Sequence, residues 1–270
     1  MHTRIRPTRG WTALDPRTIW ANRELLSFLI WRDLKVRYAQ TALGAAWAVL
    51  QPLSMMLLFT VLFSRIPDLQ STQAPYPLFA YAALLPWTFF SNATTHGAHS
   101  LVGSAHILTK VYFPRLLIPL ASILSGLVDF AVAFAFLLVL MVVYRVPPAP
   151  QIVVLPFFVL GTMVVAAGAG VLFSALIVSY RDFRYVITFV VQLWLYATPV
   201  LYTIDIIPAR WRFLYAINPM VGMVAGFRAS VLGGPFPLDV VLVSIVSTML
   251  LLAVGLRYFT AVERRFADVI

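Results

Sequence analysis

Few residues in this sequence are equipped for chemistry, and their surroundings limit what that chemistry is. Asp129 is the only acidic residue deep in an apolar run, LSGLVDFAVAFAF. A carboxylate there is either functional, in conduction or gating, or a hydrogen-bonded group facing another helix. No second acid or base stands near it, so a proton relay is not supported. His96, His99 and His106 fall within eleven residues, and the last two are seven apart, near one face of a continuing helix. A metal would need carboxylate or further imidazole ligands; none is evident, so these read as interfacial polar residues and no metal site is expected. The sequence has no G-x-x-x-x-G-K-[ST], no H-E-x-x-H and no G-x-S-x-G. With no cysteine, a thiol nucleophile and a disulfide framework are both excluded. The expectation is a chain with no catalytic residues and no cofactor of its own.

Three other groups are built for contact. Arg32, Asp33, Lys35 and Arg37 form a charged cluster just before Gly44, and from there to Arg65 the chain carries no charge. The turn LTKVYFPRLLIP (108–119) sets Val111, Tyr112 and Phe113 between Lys110 and Arg115. Exposed apolar side chains between two cations suit docking to another protein, and an ordinary interfacial aromatic belt is the alternative. In SYRDFRYV (179–186), Arg181 and Asp182 can pair or cap the flanking helices. Trp194 and Tyr196 lie beside Thr198-Pro199, and Trp47 follows Gly44. Aromatic faces stack on the apolar faces of sugar rings while tolerating sliding, so these three are expected to line a pore. For Tyr38 and Tyr202, interfacial anchoring serves nearly as well.

The elements that position these residues follow from composition. The 270 residues are 61% hydrophobic and 11% charged, with mean hydropathy +0.89. A soluble domain carries about 25% charged residues, so the fold class is all-α integral membrane. Residues 1–17 read as a cytosolic arm broken by Pro7 and Pro16, with no removable signal peptide. Residues 18–42 read as an amphipathic membrane-surface helix, with Leu25, Phe28, Leu29 and Val36 on its apolar face and Arg23, Asp33 and Arg37 on the polar one. From 43 to 270 six spans are expected, near 43–63, 78–98, 116–144, 152–178, 185–203 and 238–259. Placing the N-terminus inside puts fifteen of the twenty basic residues on the inner side, leaving Arg65, Arg145, Arg210, Arg212 and Arg228 outside. Both termini are therefore expected in the cytosol, and the net charge of +10 reports topology and anionic lipid rather than nucleic acid. Residues 205–236 are too apolar for a loop and too charged for a span, and read as a helical hairpin re-entering the outer leaflet. Asn218-Pro219 would mark its tip or a helix start.

Taken in order, the landmarks resemble the membrane subunits of ABC type-2 exporters that move polysaccharides. They are WRDLKVRYAQTALGAAWAVLQPL (31–53), PWTFFSNA (86–93), TKVYFPR (109–115), YRDFRY (180–185), TPVLY (198–202) and INP (217–219). Each alone is weak, but together they span nearly the whole chain after the arm. The resemblance implies a homodimer around a channel, with each copy bound to a separate ATP-binding-cassette ATPase that holds Mg-ATP. It implies that 103–115 and 18–38 meet the ATPase, that the first and fifth spans line the channel, and that 205–236 is an outer gate. The substrate would be a lipid-linked glycan crossing a bacterial inner membrane, with Arg32 and Arg37 placed to meet its lipid diphosphate. Two other readings compete. A type-2 exporter of a drug or lipid would usually lack the FFSNA, YFPR and RD landmarks, and an integral-membrane glycolipid enzyme would need clustered acids or histidines.

Overall fold

The computed structural model describes residues 16–39, 41, 44–63, 74–108, 110, 113–263 and 266, and every element among them is helical. A short helix α1 (Pro16–Ala21) leads into α2 (Arg23–Tyr38). Glu24 in the first turn of α2 and Lys35 and Arg37 in its last complement the helix dipole. Gly44, at φ +47°, sits in the turn that carries the chain into α3 (Ala46–Phe63). The next helices are α4 (Tyr76–Gly103), the single turn α5 (Ala105–Leu108) and α6 (Leu117–Val143). Arg145 closes α6 in the left-handed region, where its N–H reaches the Val142 carbonyl and that of Val146 reaches Met141. That is a Schellman end with arginine in the position usually given to glycine. Then come α7 (Leu155–Ser179), α8 (Phe183–Tyr196), α9 (Ala209–Ala216), α10 (Pro219–Leu232) and α11 (Leu238–Val262).

Among the described residues four helical segments are long and apolar enough to cross a membrane: Ala46–Phe63, Leu117–Val143, Pro150–Ser179 and Leu238–Val262. The chain is thus a multi-pass, all-helical membrane protein. Helix α4 is 28 residues long but less apolar, and its position explains why. It is the central helix, flanked by α3, α6, α7, α8 and α10 and buried along most of its length. Its polar residues Asn92 and His96 line a cavity, where polar groups are tolerated. Small residues bring the other helices close. A Cβ on Gly255 would stand 2.4 Å from the Gly168 carbonyl oxygen, and one on Gly226 would stand 2.0 Å from the Phe158 ring. Helices α7, α10 and α11 therefore touch backbone to backbone or ring to backbone, the contact mode expected where lipid removes the hydrophobic drive.

Two expectations about element shape need correction. Helix α8 stops at Tyr196, well short of 203, because Pro199 has no N–H and disfavours helical geometry at Thr198. Its 14 residues rise about 21 Å, less than the ~30 Å hydrocarbon core. Helix α2 also divides differently: Leu25 and Leu29 share the protein-facing side with Asp33 and Arg37. Leu29 is its buried residue, with Leu25, Leu26 and Ile30 packed beside it, while Phe28 and Val36 are exposed. The side carrying Asp33 and Arg37 turns toward the protein, because it finds polar partners there.

Candidate functional site

Those partners are on α6 and at the end of α4. The Arg37 guanidinium donates from Nη1 to Oδ2 of Asp129 and from Nη2 to Ser125 Oγ at 2.9 Å. Tyr38 donates its hydroxyl to the other Asp129 oxygen, Oδ1. Helix α2 is therefore pinned to α6 by the one acid the sequence placed deep in an apolar run. The hydrogen-bonded reading of Asp129 is the one the geometry supports, and its partner lies 92 residues earlier in the chain. Arg32 is engaged as well: Nε and Nη2 reach Asp33 Oδ1 at 3.1 and 2.7 Å, and Nη2 reaches Ser104 Oγ at 3.3 Å. An anion meeting either arginine would compete with a carboxylate already in place. Lys35 is the free-standing member of the cluster, exposed over the Trp31 ring at 4.8 Å.

Beside the Arg37–Asp129 pair lies a cavity of about 220 Å³ between the end of α2 and helices α3, α4 and α6. Its polar lining comes from Arg37, Tyr38, Gln51, Asn92, His96 and Asp129, and its aromatic lining includes Trp47, Phe89 and Phe130. Pro52 shapes one wall. Lacking an N–H, it leaves the carbonyl of Ala48, another lining residue, without its helical donor. Across the cavity Asn92 Nδ2 donates to Gln51 Oε1 at 3.3 Å. Trp47 is thus placed at an open surface, 59% exposed.

The other aromatic candidates part ways. Tyr196 is 67% exposed and continues a stripe of Tyr185, Phe189 and Leu193 along α8. Trp194 is not an open wall residue. It packs edge-on against Phe90 with centroids 4.9 Å apart and donates its indole N–H to Asn218 Oδ1 at 2.7 Å. Asn218 also caps α10 by accepting from Met220 N, and its Nδ2 donates to the Ala197 carbonyl and to Thr198 Oγ1. The Asn-Pro pair is a helix start.

Phe113 is 8% exposed and belongs to a core with Leu29, Leu101, Leu117, Phe259 and Phe266. Its ring anchors the 108–119 turn instead of projecting from it, because that core, contributed by five segments, is the nearest apolar refuge. Arg115 faces inward too, donating to the Glu263 backbone carbonyl. Burial pushes the Glu263 carboxyl above its usual range, with Arg115 opposing that shift. Lys110 is exposed, and Val111 and Tyr112 lie outside the described residues. Arg181 and Asp182 form no ion pair among the described residues; both are exposed, and Asp182 precedes α8 without a side-chain cap. Among the described residues no three acidic or imidazole side chains converge as metal ligands would. His96 faces the cavity and His99 Nδ1 bonds the Thr95 carbonyl.

Sequence reasoning counted Arg228 only as one of the outer basic residues, within the helical hairpin. It is 8% exposed within α10, over the Phe79 ring at 3.7 Å, and donates to the carbonyls of Pro199, Val200 and Tyr202 at 3.0, 2.7 and 3.2 Å. The usable signal was an arginine inside VGMVAGFRASVL with no acid near it in sequence, downstream of a proline that frees carbonyls.

Residues 24–232 match the model of a protein family described as the ABC-2 type transporter. The chain belongs to that family. It is similar to an O-antigen export system permease protein, RfbA, of Klebsiella pneumoniae: 28% identical over 248 residues, covering 92% of this chain and 95% of the relative. A permease of the same description from Myxococcus xanthus is 31% identical over 215 residues, covering 79% and 82%. The polysialic acid transport protein KpsM of Escherichia coli is 21% identical over 213 residues, covering 76% and 80%. The Arg37–Asp129 cavity and the 108–119 turn both lie within the matched segment.

Proposed function

We propose that this chain is the membrane subunit of an ATP-driven exporter that carries a lipid-linked polysaccharide from the cytosol across a bacterial inner membrane. The observation that carries the reading is similarity along nearly the full length of both chains to a permease of O-antigen export. The chain would supply no ATPase site, and two separate ATP-binding-cassette subunits would supply hydrolysis. Two copies would pair around the conduit, with the exposed faces of α3 and α8 turned toward it; Trp47 and Tyr196 stand on those faces. The chain would cross six times, by α3, α4, α6, α7, α8 and α11, with both termini cytosolic. Helices α9 and α10 would form the outer re-entrant hairpin, which supports the end of α8 through Asn218 and Arg228.

The inner surface supports a division of labour for coupling. Lys110 and its neighbours in the 108–119 turn would meet the ATPase. Phe113 and Arg115 tie that turn to α2 and to the end of α11, so motion of the turn would be passed to both. The Arg37–Asp129 pair would carry it on to α6. The test is co-expression with the ATPase encoded beside this chain. A complex of two permeases and two ATPases, with exported glycan lost on deleting either, is the expected result; no association would refute the reading.

A further inference from the structure

We infer that the cavity beside the Arg37–Asp129 pair is a binding site for one neutral sugar residue of the lipid-linked glycan, a subsite within each protomer whose mouth, at Trp47, opens on the conduit face of α3. The inference rests on the exporter reading and deepens it. Charge chooses between the two parts of such a substrate. A diphosphate entering here would have to displace Asp129 from Arg37 and would then meet the freed carboxylate at the same place. Arg37 already spends both terminal nitrogens on Asp129 and Ser125, and both Asp129 oxygens carry a donor. A neutral polyol faces no such exchange, since each carboxylate oxygen retains a lone pair that can accept from a hydroxyl.

The remaining lining fits a sugar. Among the described residues, Gln51 Nε2 and Asn92 Oδ1 have no protein partner, which leaves one donor group and one acceptor on the bonded amide pair that lines the cavity. The Ala48 carbonyl freed by Pro52 adds an acceptor, and His96 adds a ring nitrogen. Trp47 supplies a flat indole for the apolar face of a pyranose. At about 220 Å³ the cavity is smaller than the ~300–1,000 Å³ of drug-sized pockets, which limits its occupant to a single ring. Its position beneath the interface helix would let the protein read a sugar next to the lipid anchor as the glycan enters the conduit.

The test uses the whole transporter, permease with its ATPase, in nanodiscs. Equilibrium binding is measured for polyprenyl diphosphate, bare or carrying one glucose, galactose or the N-acetylamino form of either. The expected result is that at least one sugar-bearing lipid binds tenfold or more tightly than the bare lipid. The doubly substituted Gln51→Leu/Asn92→Leu protein should bring that ratio to within twofold, leaving affinity for the bare lipid unchanged. Should the double variant fold poorly, Trp47→Ala removes an exposed ring and should lower the same ratio. Equal binding of all five lipids by wild type overturns the inference, and so does a preference that survives both variants. Failure of the exporter reading itself looks different: wild type then binds not even the bare lipid.

Discussion

Breaking the Arg37–Asp129 pair should loosen the interface helix by an amount the structure bounds. Their side chains are 21% and 23% exposed, so the pair sits between the surface and buried limits. Exposed pairs contribute ~0–1 kcal/mol, whereas removing one partner of a fully buried pair costs ~3–5 kcal/mol. For a pair roughly three-quarters buried, Asp129→Leu and Arg37→Met should each cost about 2–3 kcal/mol. Asp129→Leu also leaves the Tyr38 hydroxyl without its acceptor, and Arg37→Met leaves the α6 carboxylate without its cation. The double substitution should cost no more than either single one, so the coupling should be at least about 2 kcal/mol in magnitude. Unfolding of the purified protein in mixed micelles measures all four states of the cycle. Limited proteolysis at 16–39 should accelerate in both single variants, because α2 has lost its anchor. Strictly additive effects, or single variants within ~0.5 kcal/mol of wild type, would refute a structural role for the pair.

Arg228→Leu should cost about 2 kcal/mol, since three carbonyls lose a charged donor at ~1.5–3 kcal/mol each while an unpaired buried cation is relieved. Arg228→Lys should not rescue, because one ammonium cannot reach all three acceptors in the guanidinium's fork; unfolding and thiol labelling of Val200→Cys, in a chain without native cysteine, read both out. Gly255→Leu should destabilise by ~3 kcal/mol or fail to fold, since even its Cβ meets the Gly168 carbonyl at 2.4 Å, while Thr260→Ala near the same helix end should change little. Glu263 has a folded-state carboxyl pKa above its unfolded one, so its charge opposes folding: stability from this group is full below ~4.3 and falls as pH rises through the folded value. Glu263→Gln should therefore be more stable than wild type at pH 7 and indistinguishable from it near pH 4, measured as unfolding midpoints across pH.

Apolar runs made most of the fold legible. Leucine-rich stretches without charge become α6, α7 and α11 with ends close to those expected, because lipid and core ask the same thing of them. The break at Asn218 was legible, whereas α8 was read through Pro199 and ends before it. What stayed hidden depends on residues far apart in sequence. Asp129 announced itself by its burial, but nothing local points to Arg37, and without that pair α2 reads with its polar side outward. Phe113 looked like a contact residue for the same reason: the core that takes it in comes from α2, α4, α6, α7 and the end of α11. Trp194 carried an aromatic signal that fits a pore wall and a packed interior equally well, and only the Asn218 bond decides between them.

The most direct measurement is ATP hydrolysis by the permease–ATPase complex in nanodiscs, with and without lipid-linked glycan from the same host. The account predicts a stable two-plus-two complex whose turnover rises with glycan and falls back when Arg37→Met uncouples the interface helix from α6. A chain that binds no ATPase, or a complex whose turnover is indifferent to glycan, would contradict it.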